Sequence, residues 1–424
     1  MNLIDLPKKF EDVAFALLFG ITKNMSRSLR RTFVSMLKIA ISNPYRFTYL
    51  QMARLGLRSE KTYRNLAERD FDWQDLNMLA IEGFYRPDEE LAVALDPFFI
   101  PKSGSKTPGL GYFWSGSASR ALKGMENVAL AAVGLDSGKP MMLGTFTTVP
   151  SDLLAEKDLD LISYYNYVVG KTFSSITKFT DTILADAYFA KKRFVDALRV
   201  RGLHLISRFR DDARLRYCEV RQGDGDTRRR GPKPIYGSRI DPANPETGLC
   251  ERFEIDGVDG YFLTTKAWSL SLGRKLRIVM YYGNDNGGKE SRRHTPKIFF
   301  CTDPDTTGPR IARFYRLRFQ IEFEIRDAKQ FTGLGHSQSR SFRSYEFASN
   351  LSFTALNIAR IVMKDSRLVM SIGQFKRVMV TVGELLKIIP KFGKRPNLRI
   401  IGLIDSGIRN LAGLTASGPV VNAS

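Results

Sequence analysis

The chain is poor in the residues that most often announce a function by themselves. It has three cysteines and three histidines in 424 residues. Cys218, Cys250 and Cys301 are too few and too far apart for a disulfide framework or a zinc knuckle, which points to a reducing, cytosolic setting. His204, His294 and His336 show no metal-ligand spacing, and His204, in a strand-like run, reads as a core or edge residue. There is no Gly-x-Ser-x-Gly elbow and no cysteine in a reactive context, so a Ser or Cys hydrolase triad finds no support. Internal repeats and long low-complexity tracts are absent from the sequence. Long apolar runs are missing too. Val13 to Ile21, broken by Gly20, falls far short of the roughly 20 residues a bilayer span requires. Glu11 and Asp12 stand where a signal peptide would be basic, and no small-residue cleavage site follows, so neither a leader nor a membrane partner is expected.

Acid is scarce relative to base. Sixty-five Lys and Arg face 44 Asp and Glu, a net charge of +21 and a pI near 9.9. That excess favours a polyanionic partner, nucleic acid ahead of an anionic membrane. Residues 191–239 alone carry 15 basic and 6 acidic side chains. Within them Arg228-Arg229-Arg230, before Gly231-Pro232, reads as an exposed basic loop. It is either a solvated face or a surface that tracks phosphates, and the total charge favours the second.

The length calls for two or three structural units. Residues 1–88 read as helical. Tyr45 to Arg54, a turn at Gly56, and a second helix capped by Ser59 are compatible with a helix-turn-helix reader bearing Lys61, Arg64 and Arg69; many hairpins of this kind bind nothing. From Leu91 the pattern turns to strands: Leu91 to Leu95, stopped by Asp96-Pro97, then Asn127 to Leu135 and Pro140 to Val149 about a turn at Asp136 to Lys139. A helix at about 157–179, a strand ending at Asp186, a helix at 191–201 and a strand at 203–209 follow. Three strands, then helix, strand, helix, strand describe a mixed sheet flanked by helices. Residues 211–303 are turn-rich and strand-rich and read as a β insertion. Residues 304–365 complete the core, and 366–424 form a C-terminal helical region with a disordered tail from Leu414.

The chemistry concentrates in three places. Tyr315, Arg318, Glu322 and Lys329, on one continuous helix, fall within roughly 60° of each other on the helical wheel. Phe314, Leu317, Ile321, Ile325 and Ala328 form the apolar stripe beside them. Glu324 lies on the opposite side and is expected in solvent. Asp96 and Asp186 each close a strand, and if those strands are neighbours both carboxylates emerge at one sheet edge, where Glu322 completes a cluster of three. Such a cluster raises its own pKa values and is relieved by hard divalent cations. Taken singly, Asp96-Pro97 is also only a turn, Asp303 serves the turn with Pro304, and Gly109-Leu110-Gly111 is better read as a surface loop than as a phosphate cradle.

These residues resemble the DDE transposases of bacterial insertion sequences, in the group with a ribonuclease-H-like core, a β insertion and a Tyr-Arg-Glu-Lys signature. The resemblance rests on Asp96 in ALDPFFIPKSG, Asp186 in LADAYFAKK, and YRLRFQIEFEIRDAK over 315–329, with FWSG at 113–116 and GLGHSQSRS at 333–341 alongside. It covers most of residues 90–360. It implies that Asp96, Asp186 and Glu322 are catalytic ligands of two Mg²⁺ or Mn²⁺ ions. Tyr315, Arg318 and Lys329 would hold DNA near the scissile phosphate. It further implies cleavage and strand transfer at terminal inverted repeats of double-stranded DNA, by a homodimer in a synaptic complex at a bacterial nucleoid. Members of the group often carry Trp after the signature Arg, where this chain has Phe319. Two other readings share these residues: a transposase-derived repressor that binds without cutting, and a ribonuclease-H-like nuclease without strand transfer.

Overall fold

The computed structural model describes residues 2–21, 25–219, 236–283, 296–388 and 398–414. Five helices come first: α1 (Leu6–Ile21), α2 (Arg27–Ser42), α3 (Tyr49–Leu55), α4 (Glu60–Ala67) and α5 (Trp73–Phe84). Serine, threonine or aspartate starts four of them. Ser26, Thr48, Ser59 and Asp72 each accept a backbone N–H of the first turn and satisfy a donor the helix cannot.

Among the described residues eleven strands then build one mixed sheet: β1 (Leu91–Pro101), β2 (Gly111–Ser115), β3 (Arg120–Gly134), β4 (Pro140–Thr147), β5 (Thr182–Leu184), β6 (His204–Arg208), β7 (Leu215–Tyr217), β8 (Glu251–Phe253), β9 (Tyr261–Ser269), β10 (Arg274–Tyr282) and β11 (Lys297–Cys301). The part expected to be ribonuclease-H-like reads β4-β3-β1-β5-β6, antiparallel through β1 and parallel from β1 to β6. Helices α6 (Ser151–Ala155), α7 (Leu161–Ile176) and α8 (Lys192–Val200) make its crossovers. The strands of 211–303 extend the same sheet, because β11 pairs with β6 and carries β10, β9 and β7 after it.

Two apolar layers cover the sheet. Alternation along β1 decides which residues enter which layer. Ala92, Ala94 and Phe98 face one layer, with Ile311, Phe314, Ile321 and the helices that follow. Leu91, Val93 and Leu95 face the other, with α5, α7 and α8. The first layer holds α9 (Gly308–Leu317), α10 (Gln320–Asp327) and α11 (Phe342–Asp365), and α12 (Ile372–Ile388) and α13 (Leu398–Leu411) close the described chain. The N-terminal helices share it: Phe10, Phe33 and Leu37 are buried with Leu351, Phe353 and Leu356 of α11. Each such side chain contributes roughly 1.5–3 kcal/mol by leaving water. Among the described residues no helix is long and apolar enough to cross a membrane.

Three sequence expectations are corrected here. Asp96-Pro97 does not stop β1, which runs to Pro101 opposite Gly124 of β3. What ends there is the pairing with β5, last seen at Ala94 opposite Leu184. Pro97 is tolerated because its donorless nitrogen can face the side that β5 has left. Gly111 is no loop residue but the first of β2, where an added Cβ would meet Pro150 at 2.9 Å. The presumed single helix through 315–329 is broken. Arg318 and Phe319 link α9 to α10 by tight turns, Arg318 N–H to Tyr315 O at 3.2 Å and Glu322 N–H to Phe319 O at 3.0 Å, and a π-helical turn (Ala328–Thr332) ends it. The loop at Arg228 to Arg230, His294, Pro390 and the tail after Leu414 lie outside the described residues.

Candidate active site

The site grows from the parallel pairing of β1 and β5. Their last matched residues are Ala94 and Leu184. Two residues further on each strand stand Asp96 and Asp186. Period two keeps both on the face of Ala94 and Leu184, and the equal step keeps them level. Neighbouring strands lie about 4.8 Å apart, so two carboxylates are carried side by side at the C-terminal ends of a parallel pair.

Asp186 is pinned. Its Oδ1 accepts the N–H of Tyr188 at 2.9 Å, starting a 3₁₀ turn, and its carbonyl accepts the Ser207 hydroxyl at 2.8 Å. Asp96 is 17% exposed, with the Arg318 guanidinium 4.0 Å away. Burial pushes its carboxyl up to about 7; Arg318 pulls down, while Glu322, Asp186 and Glu126 push further up. Asp186 is raised as well, by burial first, against the Tyr188 N–H, Arg318 and Arg208. For both, burial disfavours the charged form first, and Arg318 is the cation that opposes it.

Tyr315, Arg318, Glu322 and Lys329 come to the same place despite the broken helix. Arg318 donates to Glu322 at 2.6 Å and reaches toward Asp96. The Tyr315 ring packs on Phe299 of β11 at 4.6 Å between centroids, and burial raises its phenol. Lys329 donates to the Phe99 carbonyl of β1 at 3.0 Å; partial burial lowers its ammonium pKa against the pull of Asp96. The Glu322 side chain is half exposed and turned to Arg318 rather than closed over the two aspartates. Among the described residues no three acidic, His or Cys side chains converge as a ready metal cage. The donor chemistry nonetheless suits a hard cation: carboxylate oxygens on one face, two of them raised chiefly by burial, and a third on the half-exposed Glu322 side chain beside them.

Glu324 overturns its expectation. It is fully buried, ion-paired with Arg360 of α11. The wheel put it on the side away from Tyr315 and so in solvent, but α10 is sandwiched between the sheet and α11, whose Arg360 covers Glu324. Asp303 does serve a turn, accepting from the Asp305 N–H and the Thr306 hydroxyl. Glu126 of β3 was missed; it is buried and accepts the Tyr165 hydroxyl at 2.8 Å on the opposite face from Asp96. A lone carboxylate at the mouth of the apolar run from Asn127 to Gly134 was the available signal. Phe319 stacks edge-on against Phe323 at 5.1 Å, both partly exposed. Beside Asp186 a groove of about 670 Å³ is lined by Tyr188, Lys191, Arg210 and Arg214.

Residues 167–358 match the family model of the transposase DDE domain. Over this stretch the chain is similar to a DDE transposase domain. The match spans Asp186, Tyr315, Arg318, Glu322 and Lys329, while β1 with Asp96 lies upstream of it. No curated protein matches the chain. The match supports a transposase role, and the mixed α/β fold is consistent with it.

Proposed function

We propose that this transposase domain binds the terminal inverted repeats of its element and cuts and rejoins DNA there with divalent metal ions. The observation that carries the reading is the level placement of Asp96 and Asp186 beneath Arg318 and Glu322. Asp96, Asp186 and Glu322 would hold Mg²⁺ or Mn²⁺. When bound, such ions activate the attacking oxygen and stabilise the leaving one in phosphodiester chemistry.

The chain's own residues do the rest. Arg318 neutralises the carboxylates and can donate to a phosphate when Glu322 turns inward. Tyr315 fixes the strand's position from a ring clamped on Phe299, and Lys329, held to the Phe99 carbonyl, sets a second cation further along β1. The basic groove of Lys191, Arg210 and Arg214 leads DNA toward Asp186. In this reading residues 1–88 read the ends, with Lys61, Arg64 and Arg69 exposed on and after α4, and two copies meet in a synaptic complex.

The test is a plasmid carrying the chain's own gene and flanking DNA, incubated with protein and Mg²⁺. Discrete cuts at inverted repeats are expected, lost in Asp186→Asn and Glu322→Gln while end binding persists. Specific binding without a cut in any protein would replace this reading with the repressor one. Binding lost together with cleavage in Glu322→Gln would deny that residue a purely catalytic role.

A further inference from the structure

The hairpin of β2 and β3 is built inside out. Along β2, Phe113 and Ser115 are buried, while Tyr112 and Trp114 are 72% and 64% exposed. Directly opposite on β3 stand Lys123, across from Tyr112, and Ala121, across from Trp114, both exposed. One face of a two-stranded ribbon thus shows water two aromatic rings, a lysine and a gap left by alanine. Among the described residues neither ring stacks on another or lies against a cation. Residues 97–125 hold Lys102, Lys106, Arg120 and Lys123 and no Asp or Glu. Exposing two large rings on a solvent face forgoes burial, and a rim of cations without acids tells what would cover them.

The ribbon also has an address. It continues β1 and β3 past Asp96, on the side toward which β1 and β5 both run. Lys329 lies along the way, on the Phe99 carbonyl. From Asp96 to Pro101 is five residues, and from Gly124, opposite Pro101, to Ala121, opposite Trp114, three more. At about 3.3 Å per residue Trp114 stands no more than about 26 Å from the carboxylates. That distance equals about eight base pairs of duplex.

We propose that the β2–β3 ribbon is a DNA-binding arm that grips the duplex within about eight base pairs of the cut, with Tyr112 and Trp114 against bases or sugars and Arg120 and Lys123 on phosphates. A two-stranded ribbon fits the major groove, where exposed rings lie against base edges and sugars. A second copy of this chain is the poorer occupant, since it brings a net +21 to an all-basic face. The location relative to a cut rests on the cleavage reading above; DNA binding by the arm does not.

Trp114 is exposed, whereas Trp73 and Trp268, the other two tryptophans, are half-buried, so tryptophan emission reports on the arm. A fluorescein-labelled random duplex and the mapped end fragment serve as probes. Saturating DNA should quench emission in the full-length protein but not in Trp114→Leu. Tyr112→Ala with Trp114→Ala should weaken binding about tenfold or more and erase footprint protection on the flank within about eight base pairs of the cut. Both residues are exposed, so the variants keep the parent's melting temperature. Unchanged emission at saturation, or a double variant that binds and protects like the parent, overturns the arm. So does a double variant that binds DNA normally but loses dimers in light scattering. If no DNA is ever cut yet quenching persists, the cleavage reading fails and the arm stands.

Discussion

Asp96 shows how a single carboxylate can be held at a cost. Its folded-state carboxyl sits at about 7, because burial, then Glu322 and Asp186, oppose its ionisation more than Arg318 assists it. An unfolded aspartate titrates near 3.9. The native state therefore keeps its proton more tightly, and stability present below about pH 4 is lost as pH rises through 7. Three pKa units bound the loss at about 4 kcal/mol. Asp96→Asn removes it. In EDTA at pH 8 the variant should melt above the parent, with the gap shrinking below pH 5 and narrowing when Mg²⁺ is added to the parent. A variant melting at or below the parent at pH 8 would show that the carboxylate is under no such strain. Glu324 makes the complementary point: its side chain is buried as fully as any leucine, and Arg360 makes that tolerable.

Among the elements, α11 does more than fill space. Among the described residues strand β4 pairs only with β3, so no strand covers its outer edge. Asn350 accepts the Thr145 N–H and donates to the Thr145 carbonyl, both at 3.0 Å. Asn357 does the same for Met142, at 2.9 and 2.8 Å. Seven helical residues return to the same face after about 10.5 Å, close to the length of three strand residues. In a regular strand Met142 and Thr145 would turn their N–H groups to opposite edges. The shift in β3–β4 pairing, which leaves Leu143 unmatched, brings both to the outer one. Two asparagines thus stand in for a missing strand. Asn357→Leu should cost about 1–3 kcal/mol, since it leaves a buried N–H and C=O unpaired. Urea denaturation checks this; a loss under about 0.5 kcal/mol would mean that the edge finds other partners.

For the molecule as a whole, charge is the governing quantity. A chain at +21 with basic groove and basic arm should bind DNA chiefly through counterion release. Its affinity for a random duplex should fall on the order of a thousandfold between about 50 and 200 mM salt. Anisotropy titrations across that range supply the slope. A shallow slope would place the positive charge away from DNA. Lys123→Gln should flatten it by about one unit without changing sequence preference.

Some of this was decided by the sequence alone. Period-two apolar runs and Gly, Asn and Asp turns placed most strands and helices of the core, because those local preferences act within a few residues. The strand-end logic for Asp96 and Asp186 needed only two strands to be neighbours. Other features depended on which surfaces meet. Helix α10 has a second buried side because α11 covers it, so Glu324 is interior; β1 outlasts its partner β5, so Asp96 sits inside a strand. Glu322 faces Arg318 because that cation sits within reach on the same turn of the chain, which spacing alone does not choose over the aspartates. Spacing brings groups to one place, but only packing and the balance of burial against charge settle what each group faces when it arrives.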